Sequence, residues 1–164
     1  MSGGGQIYTF ENQKVLSAGI PWVQQDQWPL RTSNLRAPGD LARVFASESF
    51  MDEMASSLGV DPVQFRLRYL TSDKRIAEVL VAAAKKAGWT DRSSPAPASS
   101  GSKATGRGIA AANRSNTMIA AVAEVEVDKS TGQVTVKRIT LAHDCGLIVN
   151  PDGLKNQIEG NIMQ

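Results

Sequence analysis

Ala121-Val122-Ala123-Glu124-Val125-Glu126-Val127-Asp128-Lys129-Ser130-Thr131-Gly132-Gln133-Val134 is the stretch from which the fold is read. Ala121, Ala123, Val125 and Val127 alternate with Val122, Glu124, Glu126 and Asp128, which is the period of a half-buried strand. Asp128 to Gly132 supplies turn chemistry, with Gly132 where the hairpin needs a left-handed backbone. A return strand then runs from Val134 to Ala142. Its apolar side passes from Val134 and Val136 to Ile139 and Leu141, a change of parity that calls for a bulge near Lys137 or Arg138.

On the C-terminal side, a loop from His143 to Gly153 leads into a helix beginning near Leu154. On the N-terminal side, residues 90–106 are Ser, Pro, Ala, Gly and Lys with almost nothing apolar, the composition of a flexible linker. Three helices precede it. Phe45, Phe50, Met51, Met54, Ala55 and Leu58 recur at helical spacing and stop at Gly59. Asp61-Pro62 starts the second, Asp as N-cap and Pro in the first turn, with Val63, Leu67 and Leu70 on its apolar side. Ser72 or Asp73 caps the third, whose inward face is Ile76, Val79, Leu80, Ala83 and Ala84; Gly88 ends it and Trp89 anchors the exit. The first stretch, to about Pro38, reads as extended and turn-rich, with a short strand at Ile7, Tyr8 and Phe10 and two tryptophans, Trp22 and Trp28, in a loop. The fold class is therefore α+β: a three-helix segment, a flexible linker, a β-hairpin and a C-terminal helix.

Bulk properties set limits on function. The 164 residues are 41% hydrophobic and 21% charged, ordinary for a globular protein. A net charge of +2 with scattered basic residues argues against a nucleic-acid partner, and no apolar run is long enough for a membrane span. The N-terminus lacks the basic and apolar regions of a secretory signal, and cytoplasmic and periplasmic settings both stay open. One cysteine and one histidine cannot make an internal disulfide, a four-ligand zinc site or an iron–sulfur site.

Local candidates for chemistry are few. Glu48, Asp52 and Glu53 sit close together on the first helix, where the wet face of an amphipathic helix is the commoner reading. His143, Asp144 and Cys145 invite a thiol-hydrolase reading. In a continuing strand, however, Asp144 points away from the face shared by His143 and Cys145 and cannot orient the histidine. Gly106-Arg107-Gly108 lacks the strand–glycine–helix setting of a phosphate loop.

Three stretches together carry a more specific signal. They are Leu35-Arg36-Ala37-Pro38-Gly39 followed by residues 45–53; Gly59-Val60-Asp61-Pro62 through Leu70, continuing to Ala87-Gly88-Trp89; and Ala142-His143-Asp144-Cys145-Gly146, Val149-Asn150-Pro151-Asp152-Gly153 and Gln157-Ile158-Glu159-Gly160. In this order they resemble the large, molybdopterin-binding subunit of molybdenum hydroxylases. That is the xanthine dehydrogenase and aldehyde oxidase family, in the branch of nicotinate dehydrogenase and of the isoquinoline 1-oxidoreductase beta chain.

The resemblance implies a fragment of an oxidoreductase that hydroxylates aldehydes or nitrogen heterocycles with oxygen from water. It implies a molybdenum cofactor (molybdopterin, with a cytosine dinucleotide form among its variants) and [2Fe–2S] clusters on a partner domain or subunit. The partners it implies are the remainder of the large subunit and an iron–sulfur subunit. Residues 1–89 would be an extended segment plus the helical part of the molybdopterin-binding domain, 90–106 the linker, and 107–164 a truncated hairpin and helix part. By motif position, Arg36 matches an arginine whose loop lies against the cofactor, and Gln157 a glutamine that hydrogen-bonds the pterin. A planar guanidinium suits phosphate or pterin oxygens, and a side-chain amide can pair both edges of a pterin. The Gly-Glu motif that carries the family's catalytic glutamate does not occur here, so no catalytic residue is assigned and the isolated chain is expected to be inactive. The alternative is a non-catalytic interaction module that packs on a partner subunit, with Trp22 and Trp28 as anchors; a cysteine-dependent hydrolase using Cys145 is weaker still.

Overall fold

Asp61 organises the helical half. In the computed structural model, which describes residues 7–14, 16, 36–37, 39–97 and 100–163, its carboxylate accepts from the Val63 and Gln64 amides at 2.8 and 3.0 Å. This is the expected N-cap, with Pro62 at the first helical position. The same carboxylate accepts from Trp89 Nε1 and the Arg92 amide, both at 3.0 Å, which ties the exit of one helix to the entry of another.

The helices are α1 (Asp40–Ser57), α2 (Pro62–Tyr69) and α3 (Lys74–Lys86). Asp73 caps α3 through the Arg75 amide. Ile76, Val79, Leu80, Ala83 and Ala84 are all buried, as their spacing predicts. Gly59 and Gly88, at the ends of α1 and α3, take positive φ.

Two expectations for the first 58 residues are corrected. Ile7, Tyr8 and Phe10 form no strand. They are held instead by the Thr9 amide donating to the Tyr69 carbonyl and by Phe10 packing on Tyr69, ring centroids 4.7 Å apart. In α1 the buried face is Glu48, Met51 and Ala55, while Phe45, Phe50 and Leu58 are exposed. Glu48 is no wet-face residue: its carboxylate takes the Tyr8 hydroxyl at 2.8 Å, Arg66 Nε at 2.9 Å and the Ala111 amide at 3.0 Å. Trp22 and Trp28 lie outside the described residues.

The strand half is a three-stranded antiparallel sheet in the order β1 (Lys103–Arg114), β2 (Thr117–Asp128), β3 (Val134–Asp144). The hairpin is β2–β3, with Gly132 at φ 72° in its turn. β1 extends it on the other side and begins inside the stretch expected to be linker: Lys103 to Gly106 pair with Asp128 to Val125. The predicted bulge is at Lys137, since Glu124 pairs with Arg138 and Val125 with Val136. That extra residue keeps Val134, Val136, Ile139 and Leu141 on one face. α3 packs across all three strands, against the opposite face. There Ile109, Ala111, Met118, Ala120 and Val122 are buried with Leu80 and Ala83 in one core. The row Ala121, Ala123, Val125 and Val127 lies on the outer, half-exposed face.

Candidate functional site

The end of the sheet where β1 turns into β2 and β3 exits gathers the residues of interest. Ser115 and Asn116, both at positive φ, make the tight β1–β2 turn. Register places Arg114 opposite Thr117, and Met118 opposite Asp144, the last residue of β3. Asp40, at the start of α1, forms an ion pair with Arg114. The exposed bend at Arg36–Ala37 therefore enters at the same end of the sheet from which the β3 strand leaves.

Arg75, in the first turn of α3, joins these pieces. Its Nε donates to Asp144 Oδ2 at 2.8 Å, and Nη1 to the Asn116 side-chain oxygen at 2.7 Å. The other Asp144 oxygen accepts the Gly146 amide at 2.9 Å, which bends the chain out of the sheet with Gly146 at φ 79°. The Arg75 hydrogen bond, followed by that of Gly146, lowers the Asp144 carboxyl to about 2. The loop that follows presents Leu147 at 92% and Val149 at 89% exposure. The Asn150 side chain then accepts the Gly153 amide at 2.8 Å and α4 (Pro151–Met163) begins, three residues before the expected start. α4 buries none of its residues, and Gln157 stands on it exposed.

On the outer face of the same end is an open pocket of about 390 Å³, lined by Ala112, Arg114, Ser115, Thr117, Ile119 and His143. His143 Nδ1 is buried there without a hydrogen-bond partner. Asp144 is turned the other way, to Arg75, so no His–Asp pair forms, as strand alternation predicted. Cys145 is half-buried and free. Among the described residues no three His, Cys, Asp or Glu side chains gather as metal ligands, and no helix is long and apolar enough to cross a membrane. Arg36, in its bend, and Gln157, on α4, are both exposed. Sequence reasoning missed Arg75 and Asn116, whose partners lie 69 and 41 residues away along the chain.

Comparison with known proteins agrees with the motifs. A family model described as "Molybdopterin cofactor-binding domain" matches residues 46–164, a span that contains Gln157 but not Arg36. Over 96% of its length the chain is 39% identical to a nicotinate dehydrogenase subunit of Pseudomonas putida, of which it covers 13%. It is 38% identical over 73% of its length to the beta chain of isoquinoline 1-oxidoreductase from Brevundimonas diminuta, covering 15% of it. To the aldehyde oxidoreductase molybdenum-binding subunit of Escherichia coli it is 33% identical over 63% of its length, covering 16%. The chain thus spans about one-seventh of the length of these relatives. No solved structure matches.

Proposed function

Because the chain belongs to the molybdopterin cofactor-binding domain family of molybdenum hydroxylase large subunits, we propose that it supplies one wall of the cavity that holds the molybdenum cofactor, through Gln157 and Arg36. The observation that carries this reading is the state of α4: a helix inside the matched span that buries nothing and presents Gln157 to solvent. A cofactor whose metal is held by its own dithiolene asks the protein for hydrogen-bond partners rather than ligands. A side-chain amide and a guanidinium are such partners, and the unpaired His143 Nδ1 at the end of β3 is a further unsatisfied polar atom. When bound, the cofactor would supply the two-electron oxidation of an aldehyde or nitrogen heterocycle, with oxygen from water. In this proposal Gln157 orients the pterin and Arg36 pairs its anionic oxygens, those of a cytosine dinucleotide form included.

The whole reaction belongs to a larger assembly. The partners proposed are the remainder of the large subunit and an iron–sulfur subunit whose [2Fe–2S] clusters take the electrons. The alternative reading, a module that packs on a partner, is favoured by the exposed Leu147, Val149, Val134 and Val136. The two readings are compatible within one assembly. The test is anaerobic titration of the 164-residue chain with molybdopterin released from a denatured molybdoenzyme, followed by pterin fluorescence. Binding that weakens in Gln157→Ala supports the cofactor role; binding absent, or indifferent to both Gln157→Ala and Arg36→Ala, removes it and leaves the interaction module.

A further inference from the structure

We propose that Arg75 is the positioning residue for the Gln157 helix: acting through Asp144, it fixes the direction in which the chain leaves the sheet and so where α4 stands. The inference rests on the reading of Gln157 as a cofactor contact. α4 buries no residue, so packing does little to hold it, and its placement is decided at the junction with β3. That junction is held by one guanidinium. Arg75 spends Nε on Asp144 and Nη1 on Asn116, at 2.8 and 2.7 Å, so that a single rigid fork spans the start of α3, the β1–β2 turn and the end of β3. Asp144 passes the constraint on by taking the Gly146 amide with its second oxygen.

The energetics separate this role from ordinary stabilisation. The Arg75 and Asp144 side chains are 34% and 35% exposed, and ion pairs so open to water add little to global stability. The core beneath is built from residues such as Ile76, Leu80, Met118 and Val122, and neither Arg75 nor Asp144 belongs to it. What three directed hydrogen bonds at a chain junction do supply is geometry. A binding group carried on an otherwise unpacked helix loses affinity when its support loosens, because the ordering cost is then met at binding.

The experiment uses Arg75→Met, Arg75→Lys and Gln157→Ala in the 164-residue chain. Three quantities are measured: melting temperature, residual dipolar couplings of the α4 amides relative to those of the sheet, and affinity for released molybdopterin. The expected result for Arg75→Met is a melting temperature near that of the parent, α4 couplings that no longer share the alignment of the sheet, and affinity lower by about tenfold, the usual scale for loss of a supporting partner. Arg75→Lys, which keeps a cation opposite Asp144, restores most of both. Unchanged α4 couplings in Arg75→Met overturn the proposal. So does unchanged affinity in Arg75→Met when Gln157→Ala loses binding. If Gln157→Ala binds like the parent, the cofactor reading falls by itself and the couplings alone decide the role of Arg75. Asp144→Asn, which removes the charge but leaves an acceptor for Gly146, gives the same decision should Arg75→Met fail to fold.

Discussion

Arg66 Nε donates to Glu48 Oε2 at 2.9 Å with both side chains almost wholly removed from water, at 0% and 6% exposure. The guanidinium also reaches Asp52, the Glu48 carbonyl and the Pro62 carbonyl. The Glu48 carboxylate holds the Tyr8 hydroxyl and the Ala111 amide as well. Arg66→Ala leaves a buried carboxylate without its cation and should cost about 3–5 kcal/mol. Chemical denaturation monitored by tryptophan fluorescence checks this; a loss below about 1 kcal/mol would mean that water replaces the guanidinium.

Tyr8 is held by the same carboxylate. Burial, then the Glu48 charge, pushes its phenol above the usual tyrosine range. Its phenolate absorbance should therefore stay absent on alkaline titration while the fold persists. A raised folded pKa gives stability that is present below the ordinary phenol value and is lost as pH climbs toward the folded one. Tyr8→Phe should remove this alkaline dependence.

Asp144 has the opposite sign. Its carboxyl is lowered from 3.8 to about 2, so its contribution is present above the ordinary carboxylate value and disappears as pH falls from about 4 through about 2. The Gly146 amide shift in an NMR titration should follow that midpoint. In Arg75→Met the midpoint should rise toward 3.8, while the buried Val122 amide does not respond.

Asp61 serves four donors at once. Asp61→Ala should therefore cost more than an isolated N-cap, about 2–4 kcal/mol against about 1. It should also red-shift Trp89 emission as the indole loses its partner. Asp61→Asn keeps an oxygen acceptor and should cost less than half as much.

The chain by itself, supplied with an aldehyde or a nitrogen heterocycle and a dye acceptor, should show no turnover, since it lacks the Gly-Glu motif to which the family's base belongs. A rate above background that follows the molybdenum content of the sample would overturn this expectation.

Legibility in the sequence followed the range of the interactions. α3 was readable in full because its five buried residues repeat at helical spacing and its caps are local. The hairpin and its bulge were readable because parity along a strand is a local record of which face each residue takes. α1 was misread because the partners that bury Glu48 lie 40, 18 and 63 residues away, and an apolar count on one helix does not register them. β1 is not legible as a strand: Lys103 to Gly106 share the composition of the linker, and Gly106, Gly108 and the alanines from Ala110 to Ala112 have weak strand propensity, so that pairing with β2 decides it. For the site, Gln157 and Arg36 came from motif position. Arg75, which nothing in its own neighbourhood marks, became visible only when β3 was brought over the start of α3.

The bulge at Lys137 has a bearing on how the chain behaves in a crowded cell. β3 is an outer strand of the sheet, with Val134 and Val136 exposed on its flank, and a flat strand of that kind is a template on which further strands can stack. One extra residue spoils the even spacing of amides that a newcomer would need, and it sets a lysine at the point of irregularity. An irregular spacing and a charged side chain at that point both discourage such stacking beside the exposed valines.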